Sequence, residues 1–506
     1  MEPKTVAEAI LIPSHASASA VWVTEPTENA IALQVGLQSD AIGLGGGGIT
    51  EEERLKPITF RDLSRALVNF VGLLREPANA RPVLRPGDVA AIVMPNSVAF
   101  AGAFIGTTIS RAVAAPLNPK YTKEEYLFYL EDQKASVVFI PTRDPSAAAI
   151  EAANDLGIRI LQVDALNDPE WGGVIFTAYD VSDRILLNAG KRQRKSLWDP
   201  PQPRDVALLL HTSGTTSKPK GVPLTHSNMC ASISNIRRTY EFNESDRSLL
   251  VMPLFHVHGL MCGLVTALAA RSQVVIPSGG GFSAHMFWKD AKHFEITWYT
   301  AVPTIHQVLL LRADKDYPSA DPPPLRLIRS SSSSLAPAIL EKLEKTFRAP
   351  VLEAYAMSEA CHQMTSNPLP KYGMRVPGSV GKGMGVQVTI LDDRLRELPP
   401  RSVGEVCIRG PNVTPGYLNN PKATKEAFAG GWFHTGDQGW LDERGYLTLT
   451  GRLKELINRG GEKIAPLEID SALISHDALA EAVAFGMPDE KYGEVVHAAV
   501  VLKEGC

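Results

Sequence analysis

Short apolar runs alternate with amphipathic stretches through most of this chain, and that alternation restricts the fold more than any other feature. The runs lie at residues 89–94, 137–140, 158–163, 206–210, 274–276 and 325–328. Between them helical spacing is evident, as in Leu63, Ala66, Leu67, Phe70, Val71 and Leu74, preceded by Thr59 and Asp62 as a capping pair. Strands alternating with helices predict an α/β fold, with largely parallel sheets flanked by helices on both faces.

After about residue 386 the texture changes. Short alternating runs at 387–391 and 405–408, separated by Gly and Pro turns, predict a smaller β-rich subdomain. Residues 447–458 carry Gly451, Arg452 and Lys454 between two structured stretches, which suits a hinge. The expected organisation is a large N-terminal domain over 1–453, with the β-rich part at 387–453, and a small mobile α+β domain over 454–506. A chain of 506 residues with 44% apolar content exceeds one compact core and can bury several. There is no internal repeat. The glycine tract at 43–48 follows no strand signal and reads as a flexible surface loop.

Charge and cysteine usage narrow the class of function. A net charge of −4 lacks the basic footprint of a nucleic-acid binder and points to small-molecule partners. Cys230, Cys262, Cys361, Cys407 and Cys506 show no CxxC spacing, so neither a zinc site nor a disulfide framework is expected, and a reducing compartment fits. The start of the chain has no secretory pattern, so a cytoplasmic protein is expected, with a peroxisomal address left open because it would lie at the C-terminus. The most apolar stretch, 257–270, is interrupted by His258 and falls short of the roughly 18 residues that cross a bilayer. It reads as a buried segment. A monomer is expected.

The most specific chemical signal is residues 211–221, HTSGTTSKPKG, directly after an apolar strand and before a helix capped by Thr225. Glycines and small hydroxyl residues let backbone N–H groups approach phosphate oxygens, while Lys218 and Lys220 supply positive charge. The frame is not the Walker pattern, and a plain polar surface loop is the alternative reading. Four further stretches follow in order: PLFHVHG at 253–259, EAYAMSE at 353–359, GWFHTGD at 431–437 and GRLKELINRGGEK at 451–463.

Together these five stretches resemble the acyl-adenylate-forming superfamily, which includes acyl-CoA synthetases, luciferases and peptide-synthetase adenylation domains. The resemblance implies an ATP-dependent acid:CoA ligase that forms acyl-AMP and pyrophosphate, then acyl-CoA and AMP, with ATP, Mg²⁺ and CoA as its small-molecule partners. It assigns Thr212, Ser213, Gly214, Thr215, Thr216, Lys220, Ser333, Glu353, Ala354, Tyr355, Ser358, Asp437 and Arg452 to the nucleotide. Glu359 is the implied Mg²⁺ ligand, Tyr355 the adenine-stacking aromatic, Asp437 the ribose acceptor, and Lys454 the hinge. Gly460 and Gly461 would let the pantetheine arm of CoA pass close to backbone. Read without the resemblance, Ser358–Glu359 could be a helix start, Asp437 an Asx turn, and Arg452 and Lys454 solvated charges.

Within that superfamily, residues 211–225, 297–307, 353–357, 366–370 and 455–464 resemble plant and fungal oxalate:CoA ligases. Oxalate is small and doubly negative, so its site needs hydrogen-bond donors where other acids need an apolar tunnel. His256, Ser332 and His362 are the candidates, and Arg329 could add positive potential. Each histidine could equally be a hydrogen-bonded core residue, and 330–334 a polar loop. Lys218, Lys220, Glu359 and His256 make up the expected catalytic set.

The family's motifs normally continue further and carry a lysine that contacts the reacting carboxylate. The sequence ends at Cys506, Lys503 does not sit in the corresponding motif, and a truncated C-terminal domain is therefore expected. Three other readings remain: a hydroxycinnamate (4-coumarate) or fatty acid:CoA ligase, a catalytically weak nucleotide-binding protein, and, with no GxSxG elbow to support it, a serine hydrolase.

Overall fold

In the computed structural model the described residues are 3–10, 31–35, 55–168, 173–187, 199–212, 218–474, 476 and 478–502. The glycine tract at 43–48 lies outside them. The apolar runs of the first half assemble into an eight-stranded sheet. Its order is Lys220–Thr225, Val206–Thr212, Val113–Pro116, Val89–Ile92, Ala135–Pro141, Arg159–Asn167, Val174–Asp180 and Ile185–Leu186. The middle strands pair in parallel and the outer ones antiparallel. Central strands buried on both faces need no polar alternation, which is why they appear as unbroken apolar runs.

A nine-stranded sheet is built the same way around Leu327–Ser330, which pairs in parallel with Trp298–Ala301 on one side and Val351–Met357 on the other. Helix Val98–Ile109 is buried along its whole length, as expected for a helix apolar all round. It shares one hydrophobic cluster with Ala90 and Leu208 of the first sheet and Val274 and Leu327 of the second. Helix Phe60–Arg75 begins at Thr59, whose hydroxyl accepts from the Asp62 N–H while Asp62 accepts from the Thr59 N–H, the reciprocal cap that the sequence predicts.

The stretch at 257–270 is a buried wide-turned helix, His258–Thr266, running into Ala267–Ala269. Its entry passes so close to the preceding chain that a Cβ on Gly259 would lie 2.3 Å from the Pro253 carbonyl oxygen. Only glycine fits there. Among the described residues no helix is long and apolar enough to cross a membrane.

Beyond residue 386 the architecture becomes antiparallel. Gln387–Leu391, Gly404–Arg409, Phe433–Leu441 and Leu447–Arg452 form a four-stranded meander. A second four-stranded sheet follows, ordered Glu462–Ile464, Ile457–Arg459, Gly493–Leu502 and Leu479–Asp489, with helix Pro466–Ile474 tied to it by Asp470, which accepts the Ala484 N–H at 2.5 Å. Lys454 falls in the turn between these two sheets. The last sheet leaves Val483, Phe485, Met487 and Val501 exposed.

Candidate active site

Three strands carry expected site residues to their carboxyl ends, the edge of a parallel sheet where ligands ordinarily bind. The first is Val206–Thr212. Thr212 pairs with Lys220 across the antiparallel strand Lys220–Thr225, and the segment joining them is the phosphate-loop motif. Ser213, Gly214, Thr215 and Thr216 lie outside the described residues. Lys218 is exposed. The Lys220 ammonium sits 4.7 Å from the centroid of the Tyr417 ring. Thr225 then caps helix His226–Tyr240 with a reciprocal Thr225–Asn228 bond. His211, at the base of the motif, faces the other way, with Nε2 2.9 Å from Asp132 and its ring against Tyr129.

The second strand is Val351–Met357, which runs into a single tight turn, Ser358–Ala360. That turn buries Glu359. Desolvation lifts the Glu359 carboxyl above its ordinary range, and the nearby charges of Lys220 and Arg452 oppose that rise. The Tyr417 hydroxyl donates to Glu359 Oε1 at 3.0 Å, so one tyrosine bridges the carboxylate and the lysine of the phosphate motif. The Glu359 carbonyl accepts from the Thr414 N–H at 2.7 Å, and Leu418 N–H donates to Gly221 at 2.8 Å. Residues 411–418 thereby strap the end of one sheet to the end of the other. The sequence reading missed this strap; its one signal is an aromatic residue following the turn-forming Pro415–Gly416.

On the same strand the Tyr355 hydroxyl donates to Asp437 of the antiparallel meander. Asp437 is paired across the strands with Arg452, whose Nε lies 3.4 Å from its carboxylate. Burial raises the Asp437 carboxyl, while Tyr355 and Arg452 hold it down. Ala354 offers its carbonyl to the Ser331 hydroxyl at 2.9 Å, whereas Ser333 is exposed and Ser358 half-buried. Glu353 is buried, and desolvation pushes its carboxyl up to about 8. Among the described residues the Glu353 carboxyl meets only the Gly378 N–H, at 3.3 Å.

At the third strand, Leu327–Ser330, Arg329 and the following Ser332 meet two buried histidines, His258 and His362, carried by other elements. Arg329 is fully buried, and among the described residues no carboxylate forms an ion pair with it. Its contacts are neutral: Tyr240 Oη at 2.8 Å, Thr300 Oγ1 at 3.2 Å, His258 Nε2 at 3.4 Å and Gln363 Oε1 at 3.4 Å. His258 is stacked on His362 with ring centroids 5.1 Å apart. Both rings are driven well below the usual histidine range, by desolvation first and by the Arg329 charge second. Among the described residues neither ring nitrogen of His362 has a hydrogen-bond partner, although the side chain is completely buried. Its φ is 92° and that of Ser332 is 74°, two non-glycine residues in left-handed backbone at one site.

His258 Nδ1 lies 3.0 Å from Ser332 Oγ. The sequence reading favoured His256, which is exposed and shares none of these bonds, although its surroundings desolvate it enough to lower its pKa. The wide-turned helix begins at His258, and that geometry rather than the motif decides which histidine points inward.

Lys454, Gly460 and Gly461 are exposed on the C-terminal sheet's side, where Gly460 (φ 61°) and Gly461 (φ 95°) form the turn between Ile457–Arg459 and Glu462–Ile464. Among the described residues no hydrogen bond joins them to the site residues of the three strands above. Glu405, Cys407 and His434 form the one group of three potential metal-ligating side chains among the described residues. Both His434 nitrogens are already occupied, by Glu405 at 2.8 Å and the Ala429 carbonyl at 3.1 Å, so the group clamps two strands beside Asp437.

Comparison with known proteins gives the family. The AMP-binding enzyme profile matches residues 52–418, and that of the AMP-binding enzyme C-terminal domain matches 468–506. Oxalate–CoA ligase of Arabidopsis thaliana is 50% identical over 422 residues, covering 83% of this chain and 80% of that protein. Oxalate–CoA ligase of Saccharomyces cerevisiae is 47% identical over 465 residues, covering 88% and 84%. Among solved structures, O-succinylbenzoate coenzyme A synthetase of Bacillus subtilis in complex with ATP and magnesium superposes with a TM-score of 0.73 at 28% identity, covering 94% of this chain and 88% of that one.

Proposed function

The chain belongs to the AMP-binding enzyme family, and from that premise we propose that it is an acid:CoA ligase whose acid is oxalate. The observation that carries the reading is the Tyr417 bridge, which brings Glu359 and Lys220 from separate sheets to one place beside Tyr355, Asp437 and Arg452. Such a site can align a carboxylate with the α-phosphate of ATP. The carboxylate oxygen attacks phosphorus, pyrophosphate leaves, and the thiol of CoA then displaces AMP from the acyl carbon.

The residues take distinct parts in that sequence. Lys220, and Lys218 from the exposed end of the loop, balance charge on the phosphates. Asp437 accepts from the ribose hydroxyls, and Tyr355 presents its ring to the base. Glu359 suits a divalent cation: it is a hard carboxylate ligand, and in a buried position a cation replaces the proton that burial otherwise favours. Bound there, Mg²⁺ would neutralise phosphate charge. Gly460 and Gly461 are the proposed backbone for the pantetheine arm, and Lys454 the proposed pivot.

Oxalate is supported by two features. The relatives named above act on it by name, and the wall beside Ser332 is polar and positively charged where a longer acid would need apolar lining. The test is acid-dependent AMP release with CoA over oxalate, malonate, acetate, 4-coumarate and hexanoate. We expect the highest kcat/KM with oxalate. Preference for coumarate or hexanoate would overturn the choice of acid, and no acid-dependent AMP would overturn the activity.

A further inference from the structure

Arg329 is an anomaly in electrostatic terms. A guanidinium cannot shed its proton, and a buried cation without a counter-charge is strongly disfavoured. Every group it touches is a neutral oxygen or nitrogen, and register places Glu353 on the opposite face of the sheet, because Arg329 aligns with Leu352 and Ser330 with Glu353. The two histidines nearest to it are held neutral by burial and cannot compensate it. This side of the site therefore carries a fixed positive charge that nothing in the described protein balances.

That charge also sets a direction. Arg329 donates to Thr300 Oγ1 at 3.2 Å and faces His258 Nε2 at 3.4 Å, while Thr300 Oγ1 lies 2.6 Å from the same Nε2. A hydrogen on Nε2 would face an arginine N–H, setting two donors against each other. With Nε2 bare, Thr300 donates to it, and the proton of neutral His258 resides on Nδ1. Nδ1–H then donates to Ser332 Oγ at 3.0 Å. The Ser332 hydroxyl, exposed and held by an unusual positive φ, has its own hydrogen left over to point outward.

We infer that Arg329 is a specificity-determining positioning residue: acting through Thr300 and His258, it orients the Ser332 hydroxyl as a donor to the acid, and its uncompensated charge selects a doubly negative acid over a singly negative one. The inference rests on the acid-activating reading above. Arg329 touches no reacting atom in this scheme. It supplies a fixed potential and a fixed tautomer, and His362, with both nitrogens unpartnered, lines the same charged wall.

Two measurements decide it. The first compares wild type with Arg329→Met and Arg329→Lys in pyrophosphate exchange, using oxalate and glyoxylate as acids of matched size and different charge. The Met variant should lose on the order of a hundredfold in kcat/KM for oxalate, with a much smaller loss for glyoxylate and an unchanged KM for ATP. The Lys variant should recover part of the preference. An unchanged oxalate-to-glyoxylate ratio in the Met variant would overturn the inference, as would equal losses for both acids. The second reads the wild-type protein and so does not depend on the Arg329 variants folding. Its ¹⁵N-histidine spectrum, assigned against His258→Gln, should show His258 protonated at Nδ1, and a proton on Nε2 would overturn the relay. If wild type uses neither oxalate nor glyoxylate, the proposed substrate fails, while the tautomer still tests the relay.

Discussion

The nucleotide wall and the acid wall of this site handle charge in opposite ways. On the nucleotide wall each carboxylate has partners within the protein: Glu359 meets Tyr417 and the field of Lys220, and Asp437 meets Tyr355 and Arg452. On the acid wall Arg329 is left with neutral neighbours, and His362, stacked on His258, has no hydrogen-bond partner at either ring nitrogen among the described residues. The difference follows from what each wall is proposed to receive. A nucleotide that comes with its own divalent cation needs a nearly balanced surface, whereas a bare dianion needs a surface short of negative charge.

Removing a balanced carboxylate should have the largest effect. Glu359→Gln keeps the Tyr417 bond and the shape but removes the cation ligand. Pyrophosphate exchange should fall on the order of 100–1,000-fold with the melting temperature little changed. Near-normal turnover would break the contrast, because Glu359 would then be a structural acid.

Tyr355→Phe sharpens it on a smaller scale. The substitution keeps the ring and deletes the hydroxyl donated to Asp437, so Asp437 should be mispositioned for ribose. We expect the KM for ATP to rise by about tenfold while the KM for the acid stays put, since the two walls share no hydrogen bond at Tyr355. A parallel rise in both constants would show that the walls are coupled.

The smallest expected effect concerns Glu353, whose carboxyl pairs with no cation among the described residues. Its folded pKa, about 8, lies above the ordinary carboxyl value. The folded protein therefore keeps a proton that the unfolded chain releases, and stability falls as pH rises between the two values. Glu353→Gln should remove that falling limb, worth roughly 1–2 kcal/mol between about pH 6 and pH 8, as read from melting curves across that range. Equal pH dependence in both proteins would show that Glu353 is already ionised when folded.

Much of the frame was legible from periodicity. The buried strands appear as apolar runs because both faces are covered, and the helix caps at Thr59 and Thr225 appear because a hydroxyl and a side-chain acceptor three residues on satisfy local N–H groups. Glu359, Tyr355 and Asp437 could be named because ordered motifs carry them. The Tyr417 strap, the choice of His258 over His256 and the isolation of Arg329 were not legible. Tyr417 and Glu359 are 58 residues apart, Arg329 and Tyr240 are 89 apart, and His256 and His258 sit in one motif.

What the sequence determined by itself is therefore local or periodic: which segments are strands, where helices start, and which residue types stand at the strand ends. Only the tertiary structure decided which of those residues meet, because a side chain's charge balance depends on every element packed around it. A lone arginine in the text of a sequence carries no sign of whether an acid lies beside it. Folding the second sheet against helix His226–Tyr240 and the wide-turned helix is what leaves Arg329 dry and uncompensated.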